Sequence, residues 1–211
     1  MHEFRYVSQS EYEPAMHRIE KMFEAVNSLL AKEYRFNAEL VGSAKYGMVT
    51  TEVNGNRGYD LDYFLQLSYS KSIKKNAKDV KDTIKNAFDR VVPTFGFKPT
   101  EDSTSALTVK VIDPVHSKII HSCDFAIGFL DNSKKRYVLK HDKESDNYHY
   151  CMNKDLSEFD EKYKIICGIK GATKGLKDEY LALKSIDGNY YRPSYQLFKQ
   201  AVNNVLNWYT Q

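Results

Sequence analysis

The stretch of the chain richest in chemistry is Asp60-Leu61-Asp62. Residues two apart on a β-strand project from the same face, so the two carboxylates would stand a few ångströms from each other. Like charges that close repel, and each favours protonation of the other unless a cation lies between them. A divalent cation removes the conflict, and carboxylate oxygens suit Mg²⁺ or Mn²⁺. Asp60 and Asp62 are therefore candidate metal ligands.

A third carboxylate is expected from a neighbouring strand. In the segment Ile119 to Phe129, the even positions are Ile120, Ser122, Asp124, Ala126 and Gly128, and Asp124 is the only charged residue among them. Its small neighbours Ser122, Ala126 and Gly128 predict open space beside the acid. The odd positions, Ile119, His121, Cys123, Phe125, Ile127 and Phe129, form a largely apolar face toward a core. Asp113 and Asp131 compete with Asp124, but their places at strand ends predict turn roles. Upstream, Val41-Gly42-Ser43-Ala44-Lys45-Tyr46-Gly47 reads as a strand ending in Gly-Ser and turning into a helix. Unpaired N–H groups at that helix start, with the Ser43 hydroxyl, would cradle phosphate, and Gly42 would let the backbone come close.

Gly42-Ser43-x-x-x-Gly47, then Asp60-x-Asp62, then Asp124 on a later strand, resembles the DNA polymerase β-like nucleotidyltransferase superfamily, as a minimal or cyclic-oligonucleotide-synthase-like member. The likeness covers roughly the first two-thirds of the chain. It implies that Gly42 and Ser43 hold a triphosphate and that Asp60, Asp62 and Asp124 bind two Mg²⁺ (or Mn²⁺) ions. Asp124 would also help activate the attacking hydroxyl. The implied reaction moves NMP from an NTP such as ATP to an acceptor hydroxyl or phosphate oxygen and releases pyrophosphate. The acceptor stays open: an antibiotic or other small molecule, a protein, an RNA end or a second nucleotide. Met48 stands where many members place Thr or Ser, and the insert Thr50 to Arg57 is long. The alternative from another class is a catalytically silent module of the same fold that binds a nucleotide or a partner.

The elements that must position these residues follow from periodicity. Met16, Ile19, Phe23, Val26 and Leu30 predict a helix from Ser8 to about Lys32, capped by Ser8 or Ser10. Ala38 to Val41 is a short strand. Leu61 to Leu67 is a strand with Leu61, Tyr63, Leu65 and Leu67 inward, so Asp60 and Asp62 face away from the core. A Lys-rich helix follows from about Asn76 to Val92, stopped by Pro93. Ala106 to Ile112 and Ile119 to Phe129 are strands joined by a turn at Asp113-Pro114, and Arg136 to His141 is another. Ser157 to Ile169 and Leu176 to Ile186 read as helices. Pro193 opens a last one carrying Leu197, Phe198, Ala201, Val202, Val205 and Trp208. The expected fold is α/β (α+β): a nucleotidyltransferase core with a mixed sheet flanked by helices over 1–150, then a small helical region over 151–211.

A chain of 211 residues with 42% hydrophobic and 28% charged side chains is an ordinary globular protein. No apolar run is long enough for a bilayer and the N-terminus lacks an apolar signal core, so no membrane association is expected. Three widely spaced cysteines, Cys123, Cys151 and Cys167, fit reduced thiols, and a cytoplasmic location is expected. Net charge is only +3, which neither demands nor excludes nucleic acid. The lysines at 71, 74, 75, 78, 81 and 85 read first as a solvated helix face; an RNA or protein partner for this Lys71 to Lys85 run stays open, as does the oligomeric state. His116, His121, His141 and His149 lack zinc-ligand spacing. Tyr148, Tyr150, Tyr190 and Tyr191 are expected to pack. Lys174, Lys177 and Lys184 are further candidates to reach a triphosphate.

Overall fold

The computed structural model describes residues 2–69, 74–153, 157–187 and 192–210. Nine strands are present among these residues: β1 Phe4–Tyr6, β2 Phe36–Val41, β3 Thr50–Glu52, β4 Tyr59–Leu67, β5 Glu101–Asp102, β6 Leu107–Asp113, β7 Lys118–Leu130, β8 Arg136–Asp142 and β9 Asn147–Met152. Five α-helices accompany them among the described residues: α1 Gln9–Leu29, α2 Ala77–Val91, α3 Ser157–Gly168, α4 Ala172–Asp187 and α5 Ser194–Thr210. None is long and apolar enough to cross a membrane among the described residues.

Seven strands form one mixed sheet in the order β2-β4-β7-β6-β5, with β8 joining β7 and β9 joining β8. β4 and β7 pair in parallel through the middle of the sheet, while β2 and β6 flank them antiparallel. The inward face follows the alternation predicted for β4 and β7: Leu61, Tyr63, Leu65, Leu67, Cys123, Phe125 and Ile127 are all buried. Helices α1 and α2 cover that face. Phe23 of α1 meets Tyr63 and Phe125 edge-on at 5.1 and 5.9 Å, and Phe88 of α2 stacks on Phe125 at 4.3 Å. Each such buried ring contributes about 1.5–3 kcal/mol, so this layer fixes which side of β4 faces out. Ser8 and Glu11 close a capping box at the start of α1, satisfying donors that the helix leaves open.

The other helices build a second apolar cluster. Ile166, Leu176, Tyr180, Phe198 and Val202 are fully buried there together with Met48, which comes from the turn after β2. Trp208, expected on the apolar face of the last helix, is instead 56% exposed beyond Val205. The long insert Thr50 to Arg57 contains β3, which pairs with β1 in a two-stranded ribbon (Phe4↔Glu52, Tyr6↔Thr50). α4 docks on this ribbon, where the Tyr6 hydroxyl donates to the Lys177 carbonyl at 3.0 Å.

The Lys-rich helix corrects one expectation. Lys81 is not solvated surface: it is 2% exposed, with Nζ 2.5 Å from Asp102 Oδ1 and donating to the Ser103 carbonyl at 2.9 Å. β5 brings Asp102 over the helix, and a buried ammonium persists only with such partners. Lys75, Lys78 and Lys85 also meet local acids, Glu33, Asp146 and Asp89. Lys71 lies outside the described residues, as do Tyr190 and Tyr191. Tyr148 and Tyr150 pack against the main core.

Candidate active site

The parallel pairing of β4 with β7 sets Asp60 beside Ser122 and Asp62 beside Asp124. The antiparallel pairing of β6 adds Thr108 beside Asp124 and Lys110 beside Ser122. Paired residues share a face, so Asp60, Asp62 and Asp124 stand together on the side of the sheet away from α1 and α2. Asp113 and Asp131 take no part. Asp113 Oδ1 accepts from Val115 N at 2.8 Å, and Asp131 Oδ1 accepts from Ser133 N at 2.8 Å, the turn roles expected of them.

Each acid has a distinct setting. Asp60 is exposed and accepts a hydrogen bond from the Ser122 hydroxyl. Asp124 Oδ1 accepts from Thr108 Oγ1 at 2.6 Å; burial raises its carboxyl above the ordinary range, partly offset by that bond. Asp62 is the most perturbed. Burial, then the charges of Asp124 and Asp60, push it up to about 7. A polar recess of about 320 Å³ opens beside the acids, lined by Arg57, Asp60, Glu101, Thr108, Lys110, Ile119, Ser122 and Asp124.

Of the small residues of β7, Ser122 lines the recess beside Asp124 as expected, whereas Gly128 is used otherwise. Ser122 is buried as the partner of Asp60. At Gly128 a Cβ would fall 1.9 Å from the Tyr137 carbonyl oxygen, because β8 pairs there. The missing side chain makes room for a strand, not for a ligand.

The Gly-Ser turn is also different in detail. After Val41 the chain forms a single 3-10 turn, Ala44–Tyr46, ended by Gly47 with φ +67°, rather than a full helix. Gly42 has φ +64°, and a Cβ there would lie 2.2 Å from Asp62 Oδ2. The turn backbone therefore packs directly on the Asp62 carboxylate. Gly42→Ala is expected to cost about 1–2 kcal/mol from the left-handed backbone alone and to displace Asp62. Urea denaturation would read the loss, and an unshifted midpoint would count against this close approach.

Two groups of the helical region complete the site: Lys184, one of the three lysine candidates, and Tyr180, which the sequence did not mark. Lys184 of α4 is buried, donating to Thr50 Oγ1 at 2.8 Å and Ser194 Oγ at 3.1 Å. Burial lowers its ammonium to about 8, while Asp60 and Asp62 pull the other way, so it is still charged at neutral pH. The buried Tyr180 hydroxyl lies near those of Ser43, Thr50 and Ser194 but is in hydrogen-bond geometry with none. A signal existed: Ala172, Leu176, Tyr180 and Lys184 form one buried stripe at steps of four, so the lysine continues an apolar face. Lys177 instead lies over the Tyr6 ring at 5.5 Å, and Lys174 is exposed.

The donor set suits a hard divalent cation: all-oxygen carboxylates, one of them half-buried and pushed toward neutrality by burial and then by its acidic neighbours. Among the described residues, however, no three of His, Cys, Asp and Glu are gathered closely enough to ligate one ion as they stand. Ser122 and Thr108 hold Asp60 and Asp124 by hydrogen bonds instead.

No protein-family model and no curated protein matches the sequence. Solved structures do share the architecture. The Bradyrhizobium diazoefficiens CD-NTase CdnG, in complex with GTP, superposes with a TM-score of 0.63 at 13% identity, covering 95% of this chain and 67% of its own. Escherichia coli DncV in its 3′-deoxy GTP bound form gives 0.64 at 11%, covering 95% and 68%. Vibrio cholerae DncV, a cyclic AMP-GMP synthase and prokaryotic cGAS homologue, gives 0.62 at 10%, again covering 95% and 68%. The chain thus spans about two-thirds of these proteins, and at such identities the likeness is one of fold. With a mixed sheet flanked by helices and a helical C-terminal region, this chain has the fold of the polymerase β-like nucleotidyltransferases.

Proposed function

We propose that the chain is a nucleotidyltransferase that uses Mg²⁺ or Mn²⁺ to transfer NMP from an NTP to an acceptor and releases pyrophosphate. The observation that supports it most is the placement of Asp62 between Asp124 on β7 and the Gly42-Ser43 turn after β2. A nucleotide whose phosphates lie on that turn would have its α-phosphorus near the three acids. Residues 1–150 would act as the catalytic core, with the helical region 151–211 contributing at the phosphate end.

Asp60, Asp62 and Asp124 would hold the divalent ions. When bound, the metal would supply charge neutralisation at the attacking oxygen and the leaving pyrophosphate. The chain's own groups would do the positioning. Ser43 and the backbone around it would receive phosphate oxygens, with the Tyr180 hydroxyl close by as a donor that has no partner in hydrogen-bond geometry among the described residues. Lys184, charged and buried, would balance triphosphate charge where water is excluded, which strengthens the attraction. The recess lined by Arg57, Glu101, Thr108 and Lys110 would admit the acceptor to Asp124.

The second reading is a nucleotide-binding module without chemistry. It is favoured by the acids being hydrogen-bonded and not gathered into a ligand cage. Incubation with each labelled NTP and Mg²⁺ or Mn²⁺, alongside calorimetry, separates the two. Divalent-dependent pyrophosphate formation with a labelled product is expected. Binding without turnover against any acceptor in a cell extract would leave the silent module.

A further inference from the structure

The turn that follows Gly42-Ser43 is gripped from the helical region. The Tyr46 hydroxyl donates to the Asp160 carboxylate on α3. The Lys45 ammonium lies 3.6 Å from the other Asp160 oxygen, and the Tyr163 hydroxyl donates to the Tyr46 backbone carbonyl at 3.3 Å. The Tyr46 ring is enclosed by Phe159 at 5.5 Å, Tyr163 at 4.7 Å and Phe198 at 5.4 Å.

The turn's own backbone bonds, by contrast, are short-range: Tyr46 N and Met48 N both donate to the Ser43 carbonyl, and Gly47 N to that of Ala44. A single 3-10 turn has poor hydrogen-bond geometry and no cooperative stability of its own. Its conformation is therefore set by what holds it. Here the charged holder is one carboxylate, 114 residues from Tyr46 in sequence, meeting both a phenol and an ammonium, with the Tyr163 hydroxyl beside it on the Tyr46 carbonyl. Hydrogen bonds to an ionised acceptor are about twice as strong as neutral ones and more directional.

We propose that Asp160 is a positioning residue for the nucleotide: through Tyr46 and Lys45 it locks the Gly42–Gly47 turn onto helix α3 in the conformation that receives a triphosphate. This rests on the reading above that the turn receives the phosphates. Asp160 itself touches no ligand. Triphosphate affinity is thereby tied to the docking of the helical region, which also carries Lys184 and Ser194.

The test is calorimetry with Mg²⁺–ATP and Mg²⁺–GTP on the full chain. Tyr46→Phe keeps the enclosed ring and removes only the hydroxyl; Asp160→Asn keeps the shape and removes the charge. Each is expected to weaken the better-bound nucleotide about tenfold, with the melting temperature little changed. The double variant should be no weaker than the weaker single one, since both remove the same bond. In turnover assays KM should rise more than kcat falls. Asn204→Ala cuts a link between α5 and Glu179 of α4 (2.6 Å) without touching the turn, and should leave affinity unchanged. Wild-type affinity in Tyr46→Phe and Asp160→Asn, or an equal loss in Asn204→Ala, would overturn the positioning role while nucleotide binding stands. If the wild-type chain binds neither nucleotide, the nucleotide reading falls first and takes this inference with it.

Discussion

Asp62→Asn is expected to reduce divalent-dependent pyrophosphate release at least about a thousandfold while leaving the protein as stable as the wild type or more so. The loss follows from position. Asp62 has Asp124 across the strand pair on one side and the backbone of Gly42 on the other, so no neighbouring acid can replace it. The retained stability follows from electrostatics: a partly buried carboxylate facing two others is a liability in the metal-free fold, and an amide of equal size removes it. Asp60→Ala should give a similar loss of activity. Asp60 is exposed and bound only to Ser122 in the described site, so the fold has little to lose there. A pyrophosphate assay with thermal melts on the same samples measures both. Turnover within tenfold of wild type in either variant would remove these acids from the mechanism.

The second large effect is on stability against pH. Asp62 titrates near 3.8 in an ordinary setting and about 7 in the fold. Between those values the folded chain holds a proton that the unfolded chain has released, so stability from this group falls as pH rises and is fully lost above about 7. The size is on the order of 2–4 kcal/mol as an upper bound. His121 opposes it at the acid end. Burial lowers its imidazole to about 4, so its contribution grows as pH rises through the interval below the ordinary histidine value. His121 overlaps it below about pH 6.5, and Lys184, lowered to about 8, opposes it again as pH approaches that value. The Asp62 signal is therefore read from about pH 6.5 to 7.5 as the difference between wild type and Asp62→Asn. In chelator, wild-type melting temperature should fall over that range, and Asp62→Asn should flatten the fall. Mg²⁺ or Mn²⁺ at pH 8 should restore stability to the wild type but much less to the variant, because ligand binding to the folded state adds to its stability. Parallel curves for the two proteins in chelator would refute the assignment of a proton to Asp62.

Much of the arrangement was legible because period-2 alternation is a direct consequence of strand geometry. Leu61, Tyr63, Leu65 and Leu67 had to turn inward together, and that alone sent Asp60 and Asp62 to the other side. The same reasoning applied to the odd positions of β7 oriented Asp124. Helices α1 and α2 were legible from their apolar spacing. Strands of two or three residues were not: β1, β3 and β5 are too short to show a period, and β9 lies where the pattern seemed to change to helix. Gly128 was misread because smallness in a sequence marks close approach without saying whether a ligand or another strand approaches. Lys81 was misread because a charged residue beside Val80 and Ile84 is buried only if a distant acid, here Asp102, comes to meet it.

What the sequence by itself determined is the pair of faces: which side chains of β4 and β7 share a surface, and that three acids lie on it. Local stereochemistry decides that, since each Cβ direction is set by its own backbone. Only the tertiary structure decided that Asp62 stands against Asp124 in register, that Gly42 rests on the Asp62 carboxylate, and that Lys184 and Asp160 reach the site from the helical region. Those are contacts between residues tens to more than a hundred positions apart. They are chosen by the packing of whole elements, for which no short-range pattern in the chain carries a mark.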